Sequence, residues 1–111
     1  MASFHIEFDE YRFMKDPAAW NRGLAAELAA NEGITHLGEK HWKVLDELRR
    51  HYKQSGSVPV MRQICHDVNL EPHCISELFA NPGRAWRIAG LPDPGEEARA
   101  YLETADVPGD V

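Results

Sequence analysis

Through the middle of the chain Trp42, Leu45, Leu48 and Tyr52 recur at helical spacing, with Lys40, Lys43, Asp46, Glu47 and Arg50 on the other side. That pattern predicts an amphipathic helix from about Glu39 to Gln54, and Arg49 is the one charged residue inside its apolar stripe. Gly38 is a permitted N-cap, weaker than Ser or Thr, and Ser55-Gly56 closes the helix. Upstream, Trp20, Leu24 and Leu28 recur every four residues beside Ala25 and Ala29. Asp16-Pro17 reads as N-cap and first helical residue of that helix, and Gly33 as its C′ stop. Downstream, Ser57-Val-Pro59 opens a third helix with Met61, Ile64, Cys65 and Val68 on one face. After a turn at Asn69-Leu-Glu71, Pro72 opens a fourth helix that turns Ile75, Leu78 and Phe79 inward. Asn81-Pro-Gly83 breaks it, and a short fifth helix runs from about Arg84 to Ala89 before Gly90-Leu-Pro92 stops it.

The ends read differently. Phe4 to Phe8 and Tyr11 to Met14 alternate apolar and polar residues, which predicts one or two short strands lying as a hairpin on the helices. Glu96 to Glu103 is long enough for about two helical turns, and the last eight residues read as frayed or disordered. The expected fold is therefore mainly α: a short N-terminal strand or hairpin, a compact bundle of about five helices, and a C-terminal arm. Residues 1–95 form the expected domain and 96–111 an acidic, partly disordered extension.

A chain of 111 residues with 43% apolar side chains suits one domain with a modest core. No apolar run approaches the roughly 20 residues that span a bilayer, and the N-terminus carries neither a basic n-region nor an apolar h-region. The expected compartment is the cytoplasm. A net charge of −6 disfavours non-specific binding to nucleic acid or an anionic membrane. Two cysteines, Cys65 and Cys74, are too few for a disulfide framework, and cytosolic thiols normally stay reduced.

Residues Gln63 to Phe79 have the pattern of a helix-turn-helix, with Ile64, Val68, Leu70, Ile75 and Leu78 at the packing positions. Cys65 is the small residue at the crossing, and Asn69 tolerates the left-handed turn. The second helix offers Glu71, His73, Cys74, Ser76 and Glu77 to a partner, two acids and no cation. DNA readers need cations for phosphates and usually Arg, Asn or Gln for base edges, so DNA binding is disfavoured. Cys65-His66 and His73-Cys74 form a Cys-His…His-Cys pattern of zinc-type ligands. Adjacent residues on a helix point about 100° apart, and structural zinc pairs are normally spaced by two to four residues, so no metal is expected. Cys74, in a first helical turn beside His73, is a candidate thiol nucleophile, with Glu71 and Glu77 opposing a lowered pKa. No paired carboxylates, nucleophile elbow or phosphate-cradling glycine loop is present, and no cofactor is expected.

Arg84-Ala-Trp-Arg-Ile-Ala-Gly-Leu-Pro-Asp-Pro94 resembles the C-terminal arm of the DsrC/TusE family of sulfur-relay proteins. Trp20 with Asn31-Glu-Gly-Ile34, His41-Trp42, Val58-Pro-Val-Met-Arg62 and Leu78-Phe79 match the family in order, so the resemblance covers about residues 8 to 95. It implies a small cytoplasmic α protein with an N-terminal hairpin and a mobile arm, whose penultimate Cys carries sulfur. In that family the sulfur goes to dissimilatory sulfite reductase or towards 2-thiolation of the tRNA wobble uridine, because a thiolate attacks sulfur well and an arm delivers it between partners. This chain departs from the pattern: Trp86 stands at the upstream Cys position, Asp110 is penultimate, and Asp93 replaces a Lys between the prolines. The loop before the fourth helix is also shortened to Asn69–Pro72, and the first strand looks truncated.

The resemblance thus implies a non-catalytic member that binds a protein partner of a sulfur-transfer or sulfite-reductase pathway. Arg62, Arg84 and Arg87 are its docking candidates, and Trp86 is either an aromatic anchor or a plug in the groove where the arm folds back. Two other readings stand beside it: a sulfur carrier that uses Cys74 or Cys65, and a helix-turn-helix DNA-binding regulator.

Overall fold

In the computed structural model, which describes residues 6–104, six α-helices follow a three-residue 3-10 helix. They are α1 (Arg22–Asn31), α2 (Glu39–Ser55), α3 (Met61–Asp67), α4 (Cys74–Phe79), α5 (Pro82–Ile88) and α6 (Glu96–Thr104). The mainly helical class expected from the periodicity is the observed one, with one helix more than the expected five.

The expected N-terminal strands are not found among the described residues; Phe4 and His5 of that hairpin lie outside them. A tight turn takes its place, with a single antiparallel bridge between Phe8 and Met14. The reason is local. An Asp9 carboxylate oxygen accepts the Tyr11 and Phe13 N–H groups, at 2.8 and 3.0 Å, so the side chain serves donors that a ladder would use. Arg12 then sits at φ +72°, and this left-handed step sends the consecutive residues Phe13 and Met14 both into the core. Strand alternation ends there.

The helix expected from Asp16 to Gly33 is divided in two. Asp16 caps only the 3-10 turn Pro17–Ala19, and Trp20 is extended. Asn21 then caps α1, its Oδ1 accepting the Leu24 N–H at 2.8 Å. Tertiary contacts outweigh local propensity at the break. The Trp20 indole N–H donates to the Ile88 carbonyl at 2.8 Å, and the Arg49 guanidinium stacks 4.3 Å from the ring centroid. Arg49, the odd charge in the α2 stripe, also donates to Ala89 O and Pro17 O at 2.9 and 3.0 Å. It therefore joins the N-terminal segment to the end of α5.

The α2 boundaries follow the expected pattern, with Gly38 as N-cap and Gly56 at φ +71° closing the helix. Glycine has no side chain with which to cap, and His41 supplies half of the missing interaction. Its Nδ1 accepts the Gly38 N–H at 3.1 Å while Nε2 lies 3.1 Å from Leu78 O, and its ring meets Phe79 edge-on. An imidazole can do both only as the neutral Nε2–H tautomer. Burial, opposed by the Leu78 contact and aided by the nearby His36, lowers the His41 pKa below its ordinary value. The folded state then binds fewer protons than the unfolded chain, so stability rises with pH across the His41 window. The His41 contribution is complete above the unfolded value of about 6.5 and is lost as pH falls from there towards the lower folded pKa. His41→Gln should flatten the stability profile just below about pH 6.5, read as urea midpoints against pH. An unchanged slope in that window would assign the pH dependence elsewhere.

Trp86, Phe13, Phe79, Met14, Leu45, Leu48, Ile64 and Leu102 are among the fully buried side chains. The axis of this core is α5, which packs against α1, α2, α4 and α6. Asn81 is the N-cap of α5, not merely the end of α4, with its Oδ1 accepting the Arg84 N–H at 2.8 Å and Pro82 at the first position. Ser57–Pro59 and Pro72, expected to open the third and fourth helices, precede α3 and α4 as non-helical residues.

Candidate functional site

Over the expected helix-turn-helix stretch, α3 and α4 pack together, and the turn between them holds Asn69 left-handed at φ +61°. The two cysteines are not the reduced thiols that the sequence suggested. Cys65 and Cys74 are joined in a disulfide, with their Cα atoms 5.8 Å apart, and no cysteine is free. Both are buried, and this also corrects the expectation that Cys74 is offered on the helix surface. Only six residues long, α4 turns Cys74, Ile75 and Phe79 inward and leaves Glu77 exposed. Among the described residues no group of three or more His, Cys, Asp or Glu is placed to hold a metal ion, and the Cys-His…His-Cys pattern is taken up by the bridge.

The four candidate docking residues separate into two pairs. Trp86 is fully buried, its indole N–H donates to Pro92 O at 2.8 Å, and its ring meets Tyr52 edge-on at 5.9 Å. It packs within the core and presents no exposed face. Arg87 lies one residue on and points to the α1 terminus, where its Nε and Nη2 contact the two Glu32 carboxylate oxygens at 2.6 and 3.2 Å. With 12% of its side chain exposed, Arg87 is an internal strut and not a docking residue. Burial would raise the Glu32 pKa, but the hydrogen bonds and charge of Arg87, with Arg12 and Arg84, outweigh it and hold the carboxyl below its usual value. Arg84 approaches the same carboxylate at 3.6 Å and stays 38% exposed. Arg62 is exposed on α3.

The segment after Pro94 does not hang free as far as residue 104. An Asp93 carboxylate oxygen accepts the Gly95 N–H at 2.9 Å, and Arg99 Nη1 lies 2.8 Å from both Asp93 oxygens. The Arg99 guanidinium also stacks on Tyr11 at 3.8 Å, which ties α6 to the N-terminal turn. Leu102 is fully buried, and the Tyr101 hydroxyl accepts the Met61 N–H at 3.4 Å. Asp93, Arg99 and Leu102 work together: the first two set the direction of α6 and the third inserts it into the core. Sequence reasoning missed Arg99 and Leu102, although their three-residue spacing places them on adjacent turns of one helix.

Fold and sequence now point the same way. The family described as DsrC like protein matches residues 1–96. The chain belongs to this family. The gamma subunit of dissimilatory-type sulfite reductase from Nitratidesulfovibrio vulgaris is 31% identical over 91 residues, covering 80% of this chain and 87% of that protein. Sulfurtransferase TusE from Salmonella choleraesuis is 31% identical over 98 residues, with 80% and 89% covered. Among solved structures, the oxidized gamma subunit (DsrC) of dissimilatory sulfite reductase from Archaeoglobus fulgidus superposes with a TM-score of 0.69 at 31% identity, over 82% of this chain and 90% of that one. A chain in the crystal structure of dissimilatory sulfite reductase I superposes with a TM-score of 0.73, over 82% and 89%. This DsrC-like chain therefore has the sulfur-relay family's fold over most of its length. No helix among its described residues is long and apolar enough to cross a membrane.

Proposed function

We propose that this DsrC-like protein acts in a sulfur-transfer or sulfite-reductase pathway by binding a protein partner, without carrying sulfur itself. The observation that carries the reading is the state of its sulfur: both cysteines are bonded to each other inside the core, and none is free. Relay needs a thiolate that attacks the outer sulfur of a donor persulfide. The donor's S–S bond then breaks, and the donor leaves as a thiol. A disulfide offers no such thiolate. Trp86, at the position where the family resemblance implies a Cys, is a packed indole and cannot substitute for one. The folding back of α6 supports the same reading, because relay depends on an arm that travels and here residues 96–104 are pinned by Asp93, Tyr11 and Leu102.

Arg62 and Arg84 are the exposed cations retained from the docking set, and we assign them to partner contact; residues 1–95 form the docking domain. We assign its action to the cytoplasm, and burial of both cysteines restricts the access that exchange with the cytosolic thiol pool needs.

Incubation of the oxidised chain with a small-molecule persulfide, followed by intact mass spectrometry, should show no gain of a sulfur atom. A stable one-sulfur adduct that disappears in Cys74→Ser would replace this reading with a carrier that works through its α3–α4 cysteines.

A further inference from the structure

A surface groove of about 640 Å³ runs along α3, lined by His51, Val60, Arg62, Gln63, His66 and Pro72 among others. Two properties distinguish it. Val60, at 63% exposure, is the most exposed large apolar side chain among the described residues, and Pro72 faces the same space. The lining also contains a guanidinium and two imidazoles but no carboxylate, in a chain with 18 acidic and 12 basic residues. The acid on the same helix, Asp67, lies outside the lining and is engaged by Gln63 Nε2 at 2.8 Å.

We propose that this groove docks a short acidic segment of a partner protein, with an apolar side chain of that segment on Val60 and Pro72 and a carboxylate on Arg62. Charge complementarity selects the occupant: a basic segment would meet Arg62 without a compensating acid, and an uncharged one would leave the guanidinium with water alone. Arginine is enriched among the residues that carry binding energy at protein interfaces, which makes Arg62 the expected anchor of the contact. The groove wall is fixed, because Cys65 follows Arg62 by one helical turn and Cys74 follows Pro72 by two residues, so the bridge holds both sides together. The inference rests on the docking reading of this DsrC-like protein and adds to it the surface and the chemistry of the partner segment.

The test is to pan a phage-displayed library of random peptides against the immobilised oxidised chain, then measure the enriched peptides by fluorescence anisotropy. Enrichment of sequences that combine Asp or Glu with Leu, Ile or Phe is expected. Arg62→Glu should weaken their binding at least tenfold, Val60→Asp should do likewise, and raised salt should weaken binding to the native chain. Both substitutions are at exposed positions, and unchanged circular dichroism would exclude unfolding as the cause. Enrichment of basic peptides, no enrichment, or binding indifferent to both substitutions would overturn the proposal. Self-association of the chain through the groove, seen as a dimer abolished by Val60→Asp, would also overturn it in favour of a second copy as occupant. None of these outcomes bears on sulfur carriage, which the persulfide adduct decides separately.

Discussion

Gly90→Ala should destabilise the protein by about 4 kcal/mol, the sum of a backbone and a packing penalty. Gly90 stands at φ +72° just after α5, where an L-residue with a Cβ costs about 1–2 kcal/mol. An added Cβ would also lie 2.1 Å from Cδ1 and 2.7 Å from Cγ of Trp20, and 2.9 Å from the Met14 sulfur. Trp20 cannot retreat freely, because its indole N–H is bonded to Ile88 O and its face is covered by Arg49. Relieving the clash means losing one of these contacts or shifting the N-terminal segment, and overpacking of this kind typically costs about 1–3 kcal/mol. Gly56→Ala is the control. Gly56 has nearly the same φ, +71°, but nothing within 4 Å of the added atom, so only the backbone term applies. Urea midpoints at constant slope would measure both variants, and their difference is the clash. Equal losses in the two would show that Trp20 moves aside at no cost.

Reducing the Cys65–Cys74 bridge should cost about 3 kcal/mol, the loop-closure value for a cross-link spanning about ten residues. The bridge joins positions nine apart in sequence, on the two helices of the α3–α4 unit. Both helices are short, at seven and six residues, and too short to hold themselves by backbone hydrogen bonds alone. Reduction is a cleaner test than substitution, since Ala would leave a cavity and Ser a hydroxyl in an apolar site. Denaturation with and without a phosphine reductant, with thiol labelling to confirm that the bridge has opened, should show an earlier midpoint and a steeper slope in the reduced form. The steeper slope follows because the uncross-linked unfolded chain exposes more surface. An identical midpoint after complete reduction would mean that packing of Ile64, Ile75 and Phe79 alone fixes the two helices.

The helices were legible because their signals are local. Trp42, Leu45 and Leu48 mark the buried side of α2, Gly56 marks its end, and Asn69 marks the left-handed turn; each acts within a few residues of itself. What stayed hidden depends on distant partners. Trp20 reads as a helical residue until Ile88 and Arg49 draw it out of the helix. The apolar alternation before Met14 reads as strand until a left-handed Arg12 turns two neighbours inward. Arg49 looks like a flaw in a stripe because its carbonyl partners lie 32 and 40 residues away. The candidate site followed the same division. The arm sequence identified the family, and Arg62 lies exposed on α3. Burial of Trp86, capture of Arg87 by Glu32 and pairing of the two cysteines all required the third dimension.

The Arg49 contacts have a consequence for how the chain is made. Pro17 and Trp20 are held by Arg49 and by the Ile88 carbonyl, and Arg49 in turn is held by Ala89. Synthesis runs from the N- to the C-terminus, so Pro17 and Trp20 have no completed seat until the end of α5 has been synthesised. The segment around Pro17 and Trp20 is therefore made well before the partners that seat it, and a folding factor that covers it would have to release it only after residue 90 has appeared.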